Sequence, residues 1–424
     1  MSLYIKISDY FTINNITVGL FIAFLSAGAI YLDWLGLVNY FINTILGLLT
    51  LYLLLISNKK RWLWAGFWIG LLWFWWMCMS FKHYDMVWAI PLVLLVIGLI
   101  YALVFYAGAK IAEVLENRLK INALFSKALF ILILSAIHPL GFDWFKPELI
   151  FTNAYLGIEK WQFGLVLLAM VLSIYKKQLL FLLLTLGAYP FASHFQSIEV
   201  LNPNIELTNY HINVIDKWKP ELQHQHIGMV FSKIDEAIKA KKELIIFPES
   251  IFALFLNYQP QLMSELQARS NDITIVVGAL YWDNGIPRNS TYIFKEGQFS
   301  VANKVVLVPF GEQNPLPKWM GKWVNQIFFD GAPDYVASAD VTDYEVNGTT
   351  YRNAICFEAT SERLYEGNPK IMVVLSNNGW VVPSIEPTQQ KILLQYYSKK
   401  YGTTIYHSVN MSDSYIVQNG KIIQ

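Results

Sequence analysis

Apolar residues follow two different rhythms along this chain. Up to about Ser193 they come in long runs with few charges between them; after Glu199 the runs are short and polar residues interrupt them. A run of about 20 apolar residues matches the hydrocarbon core when helical. Seven such runs are predicted: Phe11–Leu32, Leu35–Ile56, Trp62–Ser80, Val87–Ala109, Ala123–Leu140, Phe163–Ile174 with its upstream residues, and Leu179–Ser193. The last two are short and share the tight turn Tyr175-Lys176-Lys177. So many long runs in succession would overfill any aqueous core.

The second rhythm predicts strands at Ile198–Asn202, Leu244–Phe247, Ile273–Tyr281, Thr291–Phe294, Tyr351–Phe357, Ile371–Leu375, Thr403–Val409 and Tyr415–Val417. Between them Glu221–Lys241 reads as an amphipathic helix, with Ile227, Val230, Phe231, Ile234 and Ile238 near one face. Pro387–Tyr401 reads as another, its proline placed where a missing N–H costs little. Continuously apolar strands imply sheets covered on both faces, hence a layered α/β domain. The expected organisation is a membrane domain over residues 1–195 and a polar domain over 196–424.

Composition sharpens this division. The chain is 55% hydrophobic and only 15% charged, against about 25% charged in ordinary globular proteins. With a net charge of +1 and no basic block, nucleic-acid binding is excluded. The N-terminus is not read as a cleavable signal, because further hydrophobic spans follow at once. Of the two cysteines, Cys78 lies in an apolar span, so no disulfide with Cys356 is expected.

Basic residues orient the spans. With a cytoplasmic N-terminus, that side holds Lys6, Lys59, Lys60, Arg61, Lys110, Arg118, Lys120, Lys127, Lys176 and Lys177, against Lys82, Lys146 and Lys160 opposite. An odd span count then puts everything after Ser193 outside the cytoplasm. The aromatic groups Trp73–Trp76 and Trp144-Phe145 read either as an interfacial belt or as the rim of a lipid entrance.

Three residues carry candidate chemistry. Glu249 follows Leu244-Ile245-Ile246-Phe247-Pro248, whose proline ends the strand ladder. Lys304 precedes the apolar, β-type run Val305–Phe310, and Cys356 ends the strand Tyr351–Phe357. Taken singly, each has an ordinary alternative: a surface or helix-capping acid, a solvent-facing lysine, an inert core thiol. Together they would supply a base, a cation for an oxyanion and a nucleophile. The thiol needs such help, being only a few per cent ionised at neutral pH. The Gly-, Pro- and Trp-rich stretch Phe310–Ser338 reads as a lid that keeps water off the site, with Gly311, Gly321 and Gly331 as possible bends. His211, His224 and His226 lack metal-ligand spacing and read as surface residues.

The strings Phe247-Pro248-Glu249-Ser250, Asn303-Lys304, Leu307-Val308-Pro309-Phe310-Gly311-Glu312, Ala354-Ile355-Cys356-Phe357-Glu358 and Leu375-Ser376-Asn377-Asn378-Gly379-Trp380 make the chain resemble the nitrilase superfamily. Within it the chain is similar to the apolipoprotein N-acyltransferases. The resemblance covers nearly the whole chain. It implies a multi-span helical membrane domain joined to a nitrilase-like α-β-β-α sandwich. It implies Cys356 as the nucleophile that takes an acyl chain, Glu249 as general base, and Lys304 as oxyanion stabiliser. Glu312 would support the triad, and Glu358, Phe357, Trp380 and Trp218 would shape or gate the site. Its partners would be a phospholipid acyl donor, a diacylated apolipoprotein acceptor and the bilayer. No cofactor or metal is implied, and a monomer in the bacterial inner membrane is expected, with its catalytic domain periplasmic.

Two departures from the family pattern stand out. Phe357 replaces the usual tyrosine after the nucleophile, and Asn378-Gly379 replaces Asp-Ala before Trp380. The family also commonly ends in a further membrane helix, whereas Gln424 follows a strand-like segment; the domain is expected to be held by its first connection and its lid loops. Two other functions fit the same residues less well: a membrane-tethered amidase or nitrilase-type hydrolase, and a non-catalytic lipoprotein-binding protein.

Overall fold

The computed structural model describes residues 9–191, 202–316, 319, 321–322, 326 and 335–423. The chain divides into two compact units. One comprises Met1–Pro139, Asp143–Phe195 and Pro383–Ile392; the other comprises Leu140–Phe142, Gln196–Val382 and Leu393–Gln424.

The first unit is helical. Its helices are α1 (Ile13–Trp34), α2 (Tyr40–Ile56), α3 (Lys59–Phe74), α4 (Ile90–Leu119), α5 (Ala123–Leu134) and α6 (Lys160–Lys176). Polar side chains fix where several begin, by accepting first-turn N–H groups that would otherwise lack partners. Thr12 caps α1, Asn39 caps α2, Asn58 caps α3 and Asn122 caps α5. Three helical stretches, Ile13–Trp34, Lys59–Tyr84 and Val87–Leu119, are long and apolar enough to cross a membrane. Tyr40–Ile56, Ala123–Leu134 and Leu179–Ala188 are apolar but shorter, and Leu179–Ala188 winds as a 3-10 helix. The fifth predicted run thus loses its helix at Leu134, six residues before its predicted end.

The aromatic groups do not form a belt facing lipid. Trp73, Phe74, Trp76, Trp144 and Phe145 are all buried. They pack edge to face or tilted, with Trp73 against Phe145 at 5.0 Å and Trp76 against Trp144 at 5.1 Å. The Trp76 indole also donates to Gln389 Oε1 at 2.9 Å. Ring packing on ring, and an indole partner inside the protein, remove the reason to sit at headgroup level.

The second unit is built on two sheets. The first, in order β1 (Ile205–Leu207), β3 (Leu244–Ile246), β5 (Thr274–Asp283), β6 (Ile286–Lys295) and β7 (Gln298–Asn303), has β4 (Phe252–Phe255) beside β5. The second runs β13 (Lys421–Ile422), β12 (Tyr415–Gln418), β11 (Thr404–Asn410), β10 (Ile371–Asn377), β9 (Thr349–Ile355) and β8 (Asp343–Val346), with β2 (Asn209–Tyr210) beside β11. The central strands of both pair in parallel, while β6, β7, β8, β12 and β13 pair antiparallel.

Alternation along β3 explains the layering. Ile245 packs into a cluster with Val230 and Ile234 of α7 (Pro220–Lys239) and Leu262 and Leu266 of α8 (Pro260–Arg269). Its neighbours Leu244 and Ile246 point the other way, into a cluster with Val373, Leu375 and Tyr406 of the second sheet. A strand buried on both faces has no polar side to alternate with, hence its unbroken apolar run. Each aliphatic side chain so buried contributes about 1.5–3 kcal/mol. The predicted face of α7 is the buried one: Ile227, Phe231 and Ile238 pack against the same cluster. Helix α9 (Glu386–Tyr401) is the crossover between the parallel neighbours β10 and β11, and its Tyr397 stacks on Tyr365 at 4.7 Å. The result is a layered α-β-β-α sandwich.

The predicted strand Ile198–Asn202 lies largely outside the described residues, and the first described strand starts at Ile205. The apolar run after Lys304 is not a strand. Lys304 instead follows β7, whose sequence Gln298–Asn303 is largely polar.

Candidate active site

The three predicted residues stand just past the ends of strands β3, β7 and β9. The β3 ladder makes its last bond at Phe247 N–H to Val276 O, 2.8 Å. Pro248 has no N–H to continue it, so the chain turns, and Ser250 takes a left-handed φ of 48°. This leaves Glu249 buried, with its backbone lying directly on Gly278 of β5. A Cβ at Gly278 would come within 2.5 Å of Ser250 N and 2.7 Å of Glu249 Cα. Gly278→Ala is therefore expected to push the Glu249 turn off the sheet and cut turnover about tenfold, a loss on the scale of a displaced catalytic group; unchanged kinetics would count against this placement.

Lys304 is 2% exposed. Its ammonium lies 2.9 Å from both Glu312 oxygens and 3.8 Å from Glu249 Oε1. Burial by itself would lower its pKa, but Glu312, Glu249 and the Cys356 sulfur more than offset this and hold it above the usual lysine range. Lys304 thus stays a cation in a dry site, and Cys356 lies near enough to feel it. Asn289, on β6, fixes the two acids together: its amide donates to Glu249 Oε1 at 2.7 Å and to Glu312 Oε1 at 3.0 Å. The Asn289 carbonyl accepts the Lys304 main-chain N–H at 3.0 Å. Glu312 also accepts Val308 N–H at 2.9 Å.

Cys356 follows the last residue of β9, half-buried, with a φ of 54°. A non-glycine residue in that region costs of order 1–3 kcal/mol, and the turn that holds it is clamped by Glu358. This carboxylate is 1% exposed. It accepts Ile355 N–H at 2.7 Å on one oxygen, and Val305 N–H at 2.6 Å and Val306 N–H at 3.1 Å on the other. Glu358 therefore ties the segment carrying the thiol to the segment leaving Lys304. Burial raises its pKa to about 7, against the pull of Lys304 and the three main-chain donors.

Glu249, Lys304, Glu312 and Glu358 thus form one network, with Cys356 beside it. The aromatic residues stand further out. Phe357 is buried and stacks on Phe142 at 5.8 Å. Trp380, half-buried, closes the turn Asn378–Trp380, whose first two residues are buried, and Trp218 is 40% exposed at the end of the short helix Val214–Lys217. These two turns pack on each other through Gly379, where a Cβ would meet Val214 Cγ2 at 2.5 Å; this contact explains glycine in place of alanine. In the Phe310–Ser338 stretch, Phe310 and not Gly311 takes a positive φ, 63°, and Gly331 lies outside the described residues. His211 and His224 are exposed and His226 is half-buried.

Sequence reasoning missed Asn289, Gly278 and Lys217. A polar residue within a strand reads as solvent-facing, and an isolated strand glycine gives only a weak sign of close backbone approach. Lys217 is 1% exposed, and its ammonium donates to the Glu249 carbonyl oxygen at 2.9 Å.

Comparisons with known proteins place the chain in one family. The model of the apolipoprotein N-acyltransferase integral membrane domain matches residues 13–193. The apolipoprotein N-acyltransferase of Wolinella succinogenes is 40% identical over 95% of this chain and 96% of its own length. Those of Helicobacter pylori and Campylobacter jejuni are 34% and 33% identical, over 83% and 95% of this chain and 82% and 89% of theirs. Among solved structures, a CN-hydrolase superfamily protein from Xanthomonas campestris matches with 13% identity and a TM-score of 0.38, over 52% of this chain and 84% of its own. An amidase from Nesterenkonia matches with 12% identity and a TM-score of 0.39, over 54% and 88%.

Proposed function

The chain belongs to the apolipoprotein N-acyltransferase family, and from that premise we propose how it acylates lipoproteins, by way of a thioester on Cys356. It is a bacterial membrane acyltransferase of lipoprotein maturation. In the proposed first half-reaction Glu249 takes the Cys356 proton and the sulfur attacks an ester carbonyl of a phospholipid. Lys304 faces the oxyanion that develops, where a preset cation in a dry site acts most strongly. Collapse breaks the ester C–O bond, and the alcohol leaves as lysophospholipid with the proton held by Glu249.

In the second half the α-amine of a diacylglyceryl-cysteine attacks the thioester carbonyl. Glu249 receives the amine proton, the C–S bond breaks, and the proton returns to the sulfur. The two substrates never need to be bound together, so the kinetics are ping-pong. The catalytic unit works on the periplasmic side, the side the ten-to-three basic bias of the membrane half assigns to it.

What supports this reading is the joint placement of Glu249 and Glu312 on one asparagine amide with the Lys304 ammonium against both carboxylates, and the half-buried Cys356 within the electrostatic reach of Lys304. Incubation with phospholipid alone is expected to add one acyl mass to the Cys356 peptide, and Cys356→Ala to abolish the adduct. Triacylated lipoprotein formed without that adduct would overturn the mechanism.

A further inference from the structure

Lys217 is a second buried lysine at this site, and the reaction just described does not use it. It ends the short helix Val214–Lys217, whose start is capped by the Asn213 side chain accepting Ile215 N–H at 2.9 Å. The segment is anchored one residue earlier. Asn410, at the end of β11, accepts Ile212 N–H and donates to Ile212 O, both at 2.8 Å, and also donates to Asn377 Oδ1 at 2.8 Å. So the lysine stem is delivered by a fixed turn, not a loose loop. At its far end the ammonium bonds the Glu249 main-chain oxygen at 2.9 Å, whereas Lys304 meets the Glu249 carboxylate.

A buried ammonium needs a reason, since desolvating one costs several kcal/mol unless it is compensated. The groups facing it are few. Glu249 attracts it, and His226 on α7 senses it: burial first, then the Lys217 charge, push that imidazole down. The neighbouring Asp216 bonds Lys219 at 2.7 Å. A carbonyl alone is poor compensation for a full charge, which leaves the Glu249 carboxylate as the counter-charge. Burial lowers the pKa of Lys217 to about 8, with Glu249 pulling the other way.

We propose that Lys217 is the positioning residue of Glu249: its buried ammonium pins the main chain of the base and so holds the carboxylate where it meets Lys304 and the thiol. The inference rests on Glu249 acting as base, and its test separates the two ideas. In full-length protein in detergent, the rate of Cys356 alkylation by iodoacetamide is read by peptide mass spectrometry from pH 7 to 9.5, without lipid. Lys217→Met is expected to slow alkylation about tenfold at pH 7, the scale of losing one hydrogen bond from a charged donor. The wild-type to variant ratio is then expected to fall towards one as pH rises through about 8, because the wild-type lysine loses its charge as well.

A ratio of one at pH 7 overturns the proposal, and so does a ratio that stays constant with pH, the mark of a packing defect alone. If Lys217→Met does not fold, Lys217→Gln takes its place under the same criteria. Glu249→Gln in parallel tells the two failures apart: if it alkylates at the wild-type rate, the assignment of the base is wrong; if it is slow while Lys217→Met is normal, only the role of Lys217 is.

Discussion

Lys304→Met is expected to lower acyl transfer by about 100- to 1,000-fold and to destabilise the catalytic unit by about 3–5 kcal/mol. The first figure is that of removing a preset oxyanion donor; the second is that of leaving buried charges without their partner. Methionine matches the length of lysine and leaves no large void, so the effect isolates the charge. Without the ammonium, Glu249 and Glu312 remain on the same Asn289 amide, at 2.7 and 3.0 Å, with the Lys217 charge left to offset Glu249. Single-turnover acylation and thermal unfolding in detergent measure the two losses. Adding Glu312→Gln should recover part of the stability and none of the rate. A Lys304→Met enzyme within tenfold of wild type would sink the assignment of Lys304.

Glu358→Gln is the second large effect. Both carboxylate oxygens accept main-chain N–H groups, three in all. An amide has one oxygen, so at least one buried donor then faces an NH2 group, at about 1–3 kcal/mol for each one unpaired. Because those donors belong to the segments that carry Cys356 and leave Lys304, kcat should fall at least tenfold with little change in phospholipid KM.

The wild-type carboxyl also imposes a pH dependence on stability. Its folded-state pKa of about 7 lies above the reference value of 4.5. Between these values the native protein keeps a proton that the unfolded chain has released, so stability falls as pH rises through that window. Glu358→Gln has no such proton to keep. The difference in unfolding free energy between wild type and variant should therefore shrink from pH 5 to pH 8. A difference independent of pH would contradict the buried titration.

Much of this architecture was legible in the chain itself. The two hydrophobic rhythms separate the helical unit from the sandwich, and the β3, β10 and β11 runs announce strands covered on both faces. What misled was the segment after Lys304. Val305 to Val308 are apolar enough for a strand, yet the N–H groups of Val305, Val306 and Val308 go to the carboxylates of Glu358 and Glu312 instead of to a ladder. Propensity cannot anticipate a backbone claimed by distant side chains. Two of the missed strands, β7 and β8, had a signal of their own. Each joins a hairpin whose two turn residues both have positive φ, at Glu296-Gly297 and Asn347-Gly348, and Asn-Gly is a pair such turns favour. The buried aromatic groups of the helical unit were misread because a tryptophan cluster looks the same in sequence whether rings or lipid surround it.

The network draws on both sheets: Glu249, Lys304 and Glu312 leave the first, while Cys356 and Glu358 leave the second. Neither half holds the whole apparatus. A newly made chain whose sheets have not yet closed on each other therefore carries an ordinary thiol, with no base, cation or clamp beside it. On the proposed mechanism reactivity arrives only when the two sheets close, so a copy caught before that point would be harmless to the lipids around it.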